Sequence, residues 1–283
     1  MDVKEVPAQL REWIVAQARA GQPPDAVVAA MREQGWAEDD ATDAVHEVLQ
    51  DFLAEHAREN GLPVPSKVPE PMELGGAHLI DAGDREVAVL ANLLHPRVVV
   101  LGGLLSDDEC DGLVDLGAKR LKRSETFYLD EGESRWHEGR TSEGMFFTRG
   151  ETDLVRRIEA RLAAVCQWPV ENGEGLQVLR YRPGAEYKPH YDYFDPSRSG
   201  AAGILRNGGQ RVASIVMYLN TPGSGGETTF PDARYSVAPI KGNAVFFSYD
   251  RPHPMTGTLH GGAPVLSGEK WVATKWLRER EYT

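Results

Sequence analysis

Beyond about residue 175 the chain is written in short runs of β-branched and aromatic residues: LQVLRY, VASIVMYL, ETTF, AVFFSY and WVATKW. Clusters of Gly, Pro, Asn and Asp separate them, and runs of this kind read as strands. Two amphipathic helices precede them. Ser106-Asp107-Asp108-Glu109 forms a capping box, and a helix of about a dozen residues should follow with Cys110, Leu113 and Val114 facing inward. A second helix is predicted over Asp153–Val165, with Leu154, Ile158 and Leu162 on one face. A short apolar strand, Val98–Leu101, opens the region. Several short strands behind two helices predict an α+β domain whose core is a double-stranded β-helix, or jelly roll, with its supporting helices on one side.

The front of the chain has a different pattern. Three short helices are expected, over Ala8–Ala20 (Leu10, Trp13 and Ile14 at helical spacing), over Asp25–Gln34 behind Pro23-Pro24, and onward from Asp39-Asp40 with Val45, Val48, Leu49, Phe52 and Leu53. They make a small all-α module over residues 1–60. Its MREQGWAEDDATDAV stretch resembles ubiquitin-associated-like modules, although helix–Gly–aromatic–helix patterns are common. An interaction module that binds a further protein and a simple stabilising cap are both open. Pro63, Pro65, Pro69 and Pro71 then cannot donate to a ladder or sit inside a helix, so residues 61–75 read as a stiff linker and 76–283 as the catalytic domain.

The module carries much of the chain's charge. Residues 1–60 hold five Lys/Arg against thirteen Asp/Glu, a net of −8 out of −12 for all 283 residues. An acidic front and a nearly balanced remainder argue against nucleic acid as a partner. No apolar run is long enough to span a bilayer, and MDVKEVPAQLREW has no signal-peptide character, so a cytoplasmic protein without membrane association is expected. Two cysteines, Cys110 and Cys166, allow neither a disulfide framework nor a cysteine zinc site. Any metal must be held by histidine and carboxylate.

His190-Tyr191-Asp192 is the central candidate. Residues i and i+2 of an extended segment point the same way, so an imidazole and a carboxylate can share one ion. Two histidines and one carboxylate on one face of an octahedron leave three positions open, which suits ferrous oxygenases. Taken alone the tripeptide is unspecific, since chance supplies one about half the time in a chain of this composition. In KWVATKW, Lys270, Val272, Thr274 and Trp276 share one face of a strand. A lysine pointing into a barrel should meet a carboxylate from ligand or protein.

Context settles which reading to follow. RYRPGAEYKPHYDYFDP, GGQRVASIVMYLNTPGSGGETTFP and HGGAPVLSGEKWVATKWLRER, in that order, closely resemble the catalytic domain of prolyl 4-hydroxylases. The likeness extends upstream through LSDDECDGLV and RTSEGMFFTRG and covers roughly residues 97–280. The resemblance implies that His190, Asp192 and His260 ligate iron(II) and that Lys270 grips the far carboxylate of 2-oxoglutarate. Tyr181 would line the cosubstrate pocket, as would Thr228, though a core tyrosine and an ordinary strand threonine are equally compatible. Arg211 and Trp276 match positions near the substrate, and Trp276 could also be plain core. His253 competes with His260 as third ligand, but its flanking prolines favour a loop.

What the resemblance implies is an iron(II)- and 2-oxoglutarate-dependent dioxygenase, like procollagen-proline 4-dioxygenases. It would hydroxylate prolyl residues of a protein or peptide, with O2 as oxidant and ascorbate as reductant. The same residues are compatible with a sibling oxygenase acting on another side chain or a free amino acid, or with a non-catalytic metal-binding jelly-roll sensor or scaffold. One departure bears on substrate choice: many relatives read KWxH where this chain has Arg278 in place of the histidine. A Gly-rich insertion, Ser197–Gly209, also precedes Arg211, and Ser124–Arg140, long and polar, reads either as a lid over the substrate groove or as a disordered loop.

Overall fold

The computed structural model describes residues 6–71, 76–123 and 141–283, and the backbone of 126–128 and 133–135. The chain divides into two compact units, Met1–Pro65 and Ser66–Thr283. The first consists of helices Ala8–Arg19, Pro24–Glu33 and Glu38–Glu59. Pro24 occupies the first turn of the second helix, where its missing N–H costs nothing. Glu38, Asp39 and Asp40 open the third helix at the positive end of its dipole. Ile14, Val27, Met31, Val45 and Val48 form the core of this unit. Trp13 and Leu53, expected on the inner faces, are exposed instead. Trp13 lies beside Ile14, and adjacent helical positions point about 100° apart, so a face centred on the fully buried Ile14 leaves Trp13 at its edge.

The proline-rich stretch does not stay free along its length. The Ser66 amide donates to the Asp250 carbonyl at 2.6 Å, and its hydroxyl donates to Glu279 at 2.6 Å. Pro69 and Pro71 are buried, and Glu70 pairs with Arg97. Residues 66–71 therefore belong to the second unit, and the division falls at Pro65 rather than at 75.

In that unit a nine-stranded antiparallel sheet runs in the order Leu79–Asp81, Glu86–Leu93, Val98–Gly102, Ala244–Ser248, Arg211–Tyr218, Lys270–Arg278, Leu176–Tyr181, Glu143–Phe147 and Lys122–Arg123. A four-stranded sheet, Tyr235–Val237, Thr228–Phe230, His260–Gly262 and Tyr187–His190, completes the jelly roll. Strand alternation sorts the side chains into two cores. Val178, Ala213, Ile215 and Ala273 join Leu113, Ile158 and Leu162 of helices Asp107–Ala118 and Asp153–Cys166 in one. Leu179, Tyr181, Tyr218 and Val272 join Phe230 of the small sheet in the other. The helices thus cover one face of the large sheet, and the small sheet encloses a cavity on the opposite face.

The capping box forms as predicted, with Ser106 accepting from the Glu109 amide and Glu109 from that of Ser106. Cys110 and Cys166 are buried and free. The Ser197–Gly209 insertion holds a short helix, Ala201–Arg206. Of Ser124–Arg140, the backbones of Thr126–Tyr128 and Glu133–Arg135 pair antiparallel. The rest of that segment, and with it the expectation of a lid, lies outside the described residues.

Candidate active site

His190 ends the Tyr187–His190 strand, His260 begins His260–Gly262, and the two are direct cross-strand partners. Their rings lie 4.4 Å apart between centroids. The strands pack closely enough that Gly261 is required: a Cβ there would stand 2.8 Å from the Tyr187 carbonyl oxygen. Asp192 lies past the strand's end, so strand parity alone does not aim it. Its Oδ1 is 3.6 Å from His190 Nε2 and its Oδ2 is 3.5 Å from His260 Nε2. One ligand atom from each residue falls within 4.8 Å of the others.

The imidazoles are set up to bind a cation. His190 Nδ1 lies 2.9 Å from the Lys188 carbonyl and His260 Nδ1 lies 3.0 Å from that of Thr258. A carbonyl only accepts, so each Nδ1 carries a proton, and in the neutral ring Nε2 has its lone pair free on the side of Asp192. Burial pushes His260 down to about 4 against the pull of the Asp192 charge, so its ring is neutral near pH 7. Burial alone would raise the Asp192 carboxyl, but the Arg211 charge and the Ser214 hydroxyl, which donates to it at 2.5 Å, favour its ionised form and the carboxyl is lowered. Phe247 and Phe230 stand around His260, and the Tyr187 ring stacks on His190 at 3.7 Å. His190 is the more open of the two, with 23% of its side chain exposed against 6% for His260. Two imidazoles directed through Nε2 and one carboxylate, converging on one point, fit a divalent first-row metal.

Lys270 points into the same cavity. Its Nζ lies 5.5 Å from the Tyr181 ring centroid and 5.7 Å from that of Tyr218. Among the described residues no carboxylate comes within ion-pair distance of it. Burial lowers the ammonium to about 8, with Glu227 opposing from farther away. A nearly buried cation without a protein counter-ion is costly, and an anionic ligand relieves that cost. Thr228 also lines the cavity and accepts a hydrogen bond from the Tyr218 hydroxyl at 2.8 Å, fixing one of the rings beside the lysine. Gly226, at φ +76°, turns the chain where a Cβ would press on the Lys270 stem at 3.1 Å.

Trp276 lines the cavity too, with its buried Nε1 unpaired among the described residues. Arg211 lies over its ring at 4.0 Å and reaches Glu174 through two bonds of 2.7 and 2.8 Å. Arg278, expected near substrate, does not line the cavity: it is nearly buried, 2.7 Å from the same Glu174 and donating to the Gly209 carbonyl at 2.6 Å. Phe194 lies against both guanidiniums. Lys275 sits on the opposite strand face, 2.5 Å from Glu159, so it does not share the site of Lys270. His253 lies in a turn where its Nδ1 accepts from the Met255 amide, and it is outside the ligand triangle.

Sequence reasoning missed Glu174, Ser214 and Tyr249. Ser214 donates to Asp192 Oδ2 at 2.5 Å and stands 2.9 Å from the Tyr249 hydroxyl. Ser214 did carry a signal, as a hydroxyl among apolar residues on the inward face of VASIVMYL. Glu174 carried none, since it precedes its strand in a loop.

The donor set matches the two-histidine, one-carboxylate triad of non-haem iron oxygenases, and the buried cation beside it calls for an anionic ligand. Residues 176–278 match the family model described as the 2OG-Fe(II) oxygenase superfamily. Probable prolyl 4-hydroxylase 7 of Arabidopsis thaliana is 39% identical over 207 residues, covering 66% of this chain and 64% of that protein. Prolyl 4-hydroxylase 5 of the same plant is 38% identical over 221 residues, covering 71% and 74% respectively. A viral collagen prolyl hydroxylase from Paramecium Bursaria Chlorella virus-1, solved with 2-oxoglutarate, superposes with a TM-score of 0.50 at 32% identity, covering 64% of this chain and 95% of that one. The chain belongs to the prolyl 4-hydroxylase family of 2OG-Fe(II) oxygenases. Iron(II), 2-oxoglutarate and O2 are what that superfamily requires. No described helix is long and apolar enough to cross a membrane.

Proposed function

We propose that this protein hydroxylates prolyl residues of a protein or peptide, converting 2-oxoglutarate and O2 to succinate and CO2. The observation that carries the reading is one cavity lined by His190, Asp192 and His260 and also by Lys270, a buried ammonium with no carboxylate at ion-pair distance among the described residues. The triad would hold iron(II), and Lys270 would take the far carboxylate of 2-oxoglutarate, with Tyr181 and Thr228 forming the wall around it. When bound, the iron supplies the O2 activation and C–H oxidation that no side chain performs. The chain's own work is to aim the ligands, exclude water and place the substrate. Trp276, backed by Arg211, would offer a flat apolar wall to a proline ring and its N–H, unpaired among the described residues, to the neighbouring carbonyl.

Arg278 is taken up by Glu174 and the Gly209 carbonyl, so it supports Arg211 from behind rather than meeting substrate. Because Arg278 does not line the cavity, its exchange for the histidine of many relatives gives no argument for or against a collagen-type preference. Ascorbate as reductant, a cytoplasmic location and a further protein partner for the N-terminal helices complete the proposal.

The test is succinate formation from 2-oxoglutarate with iron(II), with and without a proline-containing peptide. Succinate release that rises severalfold with the peptide, and not with a proline-free control, supports the reading. Equal stimulation by both peptides would point to another target side chain.

A further inference from the structure

Asp192 is the ligand that regular structure holds least, because its strand ends at His190. Its two oxygens stand at nearly equal distances from the two imidazoles, 3.6 and 3.5 Å, so the triangle by itself does not choose between them. Ser214 does. It is fully buried in the Arg211–Tyr218 strand, with its hydroxyl 2.5 Å from Asp192 Oδ2. An ionised carboxylate only accepts, so Ser214 spends its one proton on Asp192 and can accept only from Tyr249, whose hydroxyl is 2.9 Å away. Tyr249 is buried as well, and burial raises its hydroxyl well above the ordinary range, so the proton stays on the phenol. The result is a directional relay: Tyr249 donates to Ser214, and Ser214 donates to Asp192.

We propose that Ser214, supported by Tyr249, is a positioning residue that reserves Asp192 Oδ2 and presents Oδ1 to the metal. A carboxylate free to turn could take two positions on the ion, whereas cosubstrate and O2 need the three left by two histidines and one carboxylate oxygen. Hydrogen bonds behind ligands commonly set their orientation, and losing one typically costs ten- to a hundredfold in metal affinity or activity. The inference rests on the metal-site reading above.

The test is calorimetric titration of the full-length, metal-free protein with Mn(II), without cosubstrate or peptide. Ser214→Ala should weaken Mn(II) binding roughly ten- to hundredfold, with Ser214→Thr staying within about threefold of the parent because it keeps the hydroxyl. Tyr249→Phe, nearly isosteric, should fall between them. Ser214→Ala binding Mn(II) as the parent does would overturn the proposal. So would a Ser214→Thr protein as weak as Ser214→Ala, since packing rather than the hydroxyl would then be at work. If Ser214→Ala does not fold, Tyr249→Phe decides alone, and parent-like affinity there overturns the relay. His260→Ala serves as the control for the underlying reading: undiminished Mn(II) binding in that variant would place the metal elsewhere, whatever Ser214 does.

Discussion

His190 and His260 face each other across adjacent antiparallel strands, each donating its Nδ1 proton to the backbone carbonyl two residues before it. That symmetry leaves both Nε2 atoms directed at Asp192 and gives the ligand assignment a sharp consequence. His190→Ala, Asp192→Ala or His260→Ala should abolish 2-oxoglutarate turnover, while His253→Ala retains most of it. Succinate assays on folded variants check this, and an inactive His253→Ala beside an active His260→Ala would reverse the assignment.

Lys270 should govern cosubstrate affinity rather than turnover. The far carboxylate of 2-oxoglutarate is unchanged by the reaction, so its contact is equally strong in ground and transition states. Unpairing that charge in Lys270→Ala should cost about 2–5 kcal/mol, which raises the KM for 2-oxoglutarate at least thirtyfold. Lys270→Arg should be hurt less, because the charge survives in a larger, planar group. An unchanged KM in Lys270→Ala would leave the carboxylate to another cation, and Lys275 is excluded by its position against Glu159.

The same lysine predicts a pH dependence. Burial disfavours the charged form and lowers its ammonium to about 8, below the ordinary lysine value. Binding a carboxylate requires the charged form, so affinity is full below pH 8 and declines above it. The limiting slope of log KM for 2-oxoglutarate should approach one per pH unit above about 8, and Lys270→Arg should flatten it because a guanidinium stays protonated. A flat profile in the parent protein would remove the argument.

How much of this was readable beforehand differs from residue to residue. Strand alternation placed Lys270, Val272, Thr274 and Trp276 on one face, and the cavity lining has them there. Arg278 shares that parity but faces Glu174, because the choice depends on a loop carboxylate that no periodicity announces. Asp192 was expected in an extended segment, yet it lies in the bend beyond and is held by a hydroxyl from another strand. Local pattern sees along one strand, and such contacts cross between strands distant in sequence. The proline stretch misled for a related reason. Proline forbids ladder and helix but not burial, and Pro69 and Pro71 pack into the catalytic unit.

Glu174 neutralises two guanidiniums at once, Arg211 and Arg278. Removing it leaves the buried Arg278 and the half-buried Arg211 without that shared carboxylate. Glu174→Ala should cost about 3–5 kcal/mol of stability. Urea unfolding measures this, and a loss below about 1 kcal/mol would show the cluster to be as weak as a surface pair.

The position of the boundary is testable by truncation. A chain starting at Ser66 should fold and keep 2-oxoglutarate turnover, because residues 66–71 supply buried prolines and the Glu70 partner of Arg97. One starting at residue 76 should unfold at lower temperature. Equal melting temperatures for the two would return residues 66–71 to the linker.

The central claim is that oxygen from O2 ends on a proline ring of a peptide held at this site. Incubation of the protein with iron(II), 2-oxoglutarate and a proline-containing peptide under isotopically heavy O2, followed by fragment mass spectrometry, addresses it directly. The account predicts one heavy oxygen on a prolyl residue, formed in step with succinate and lost in His260→Ala. Succinate without a labelled peptide, or a label confined to a residue other than proline, would contradict it.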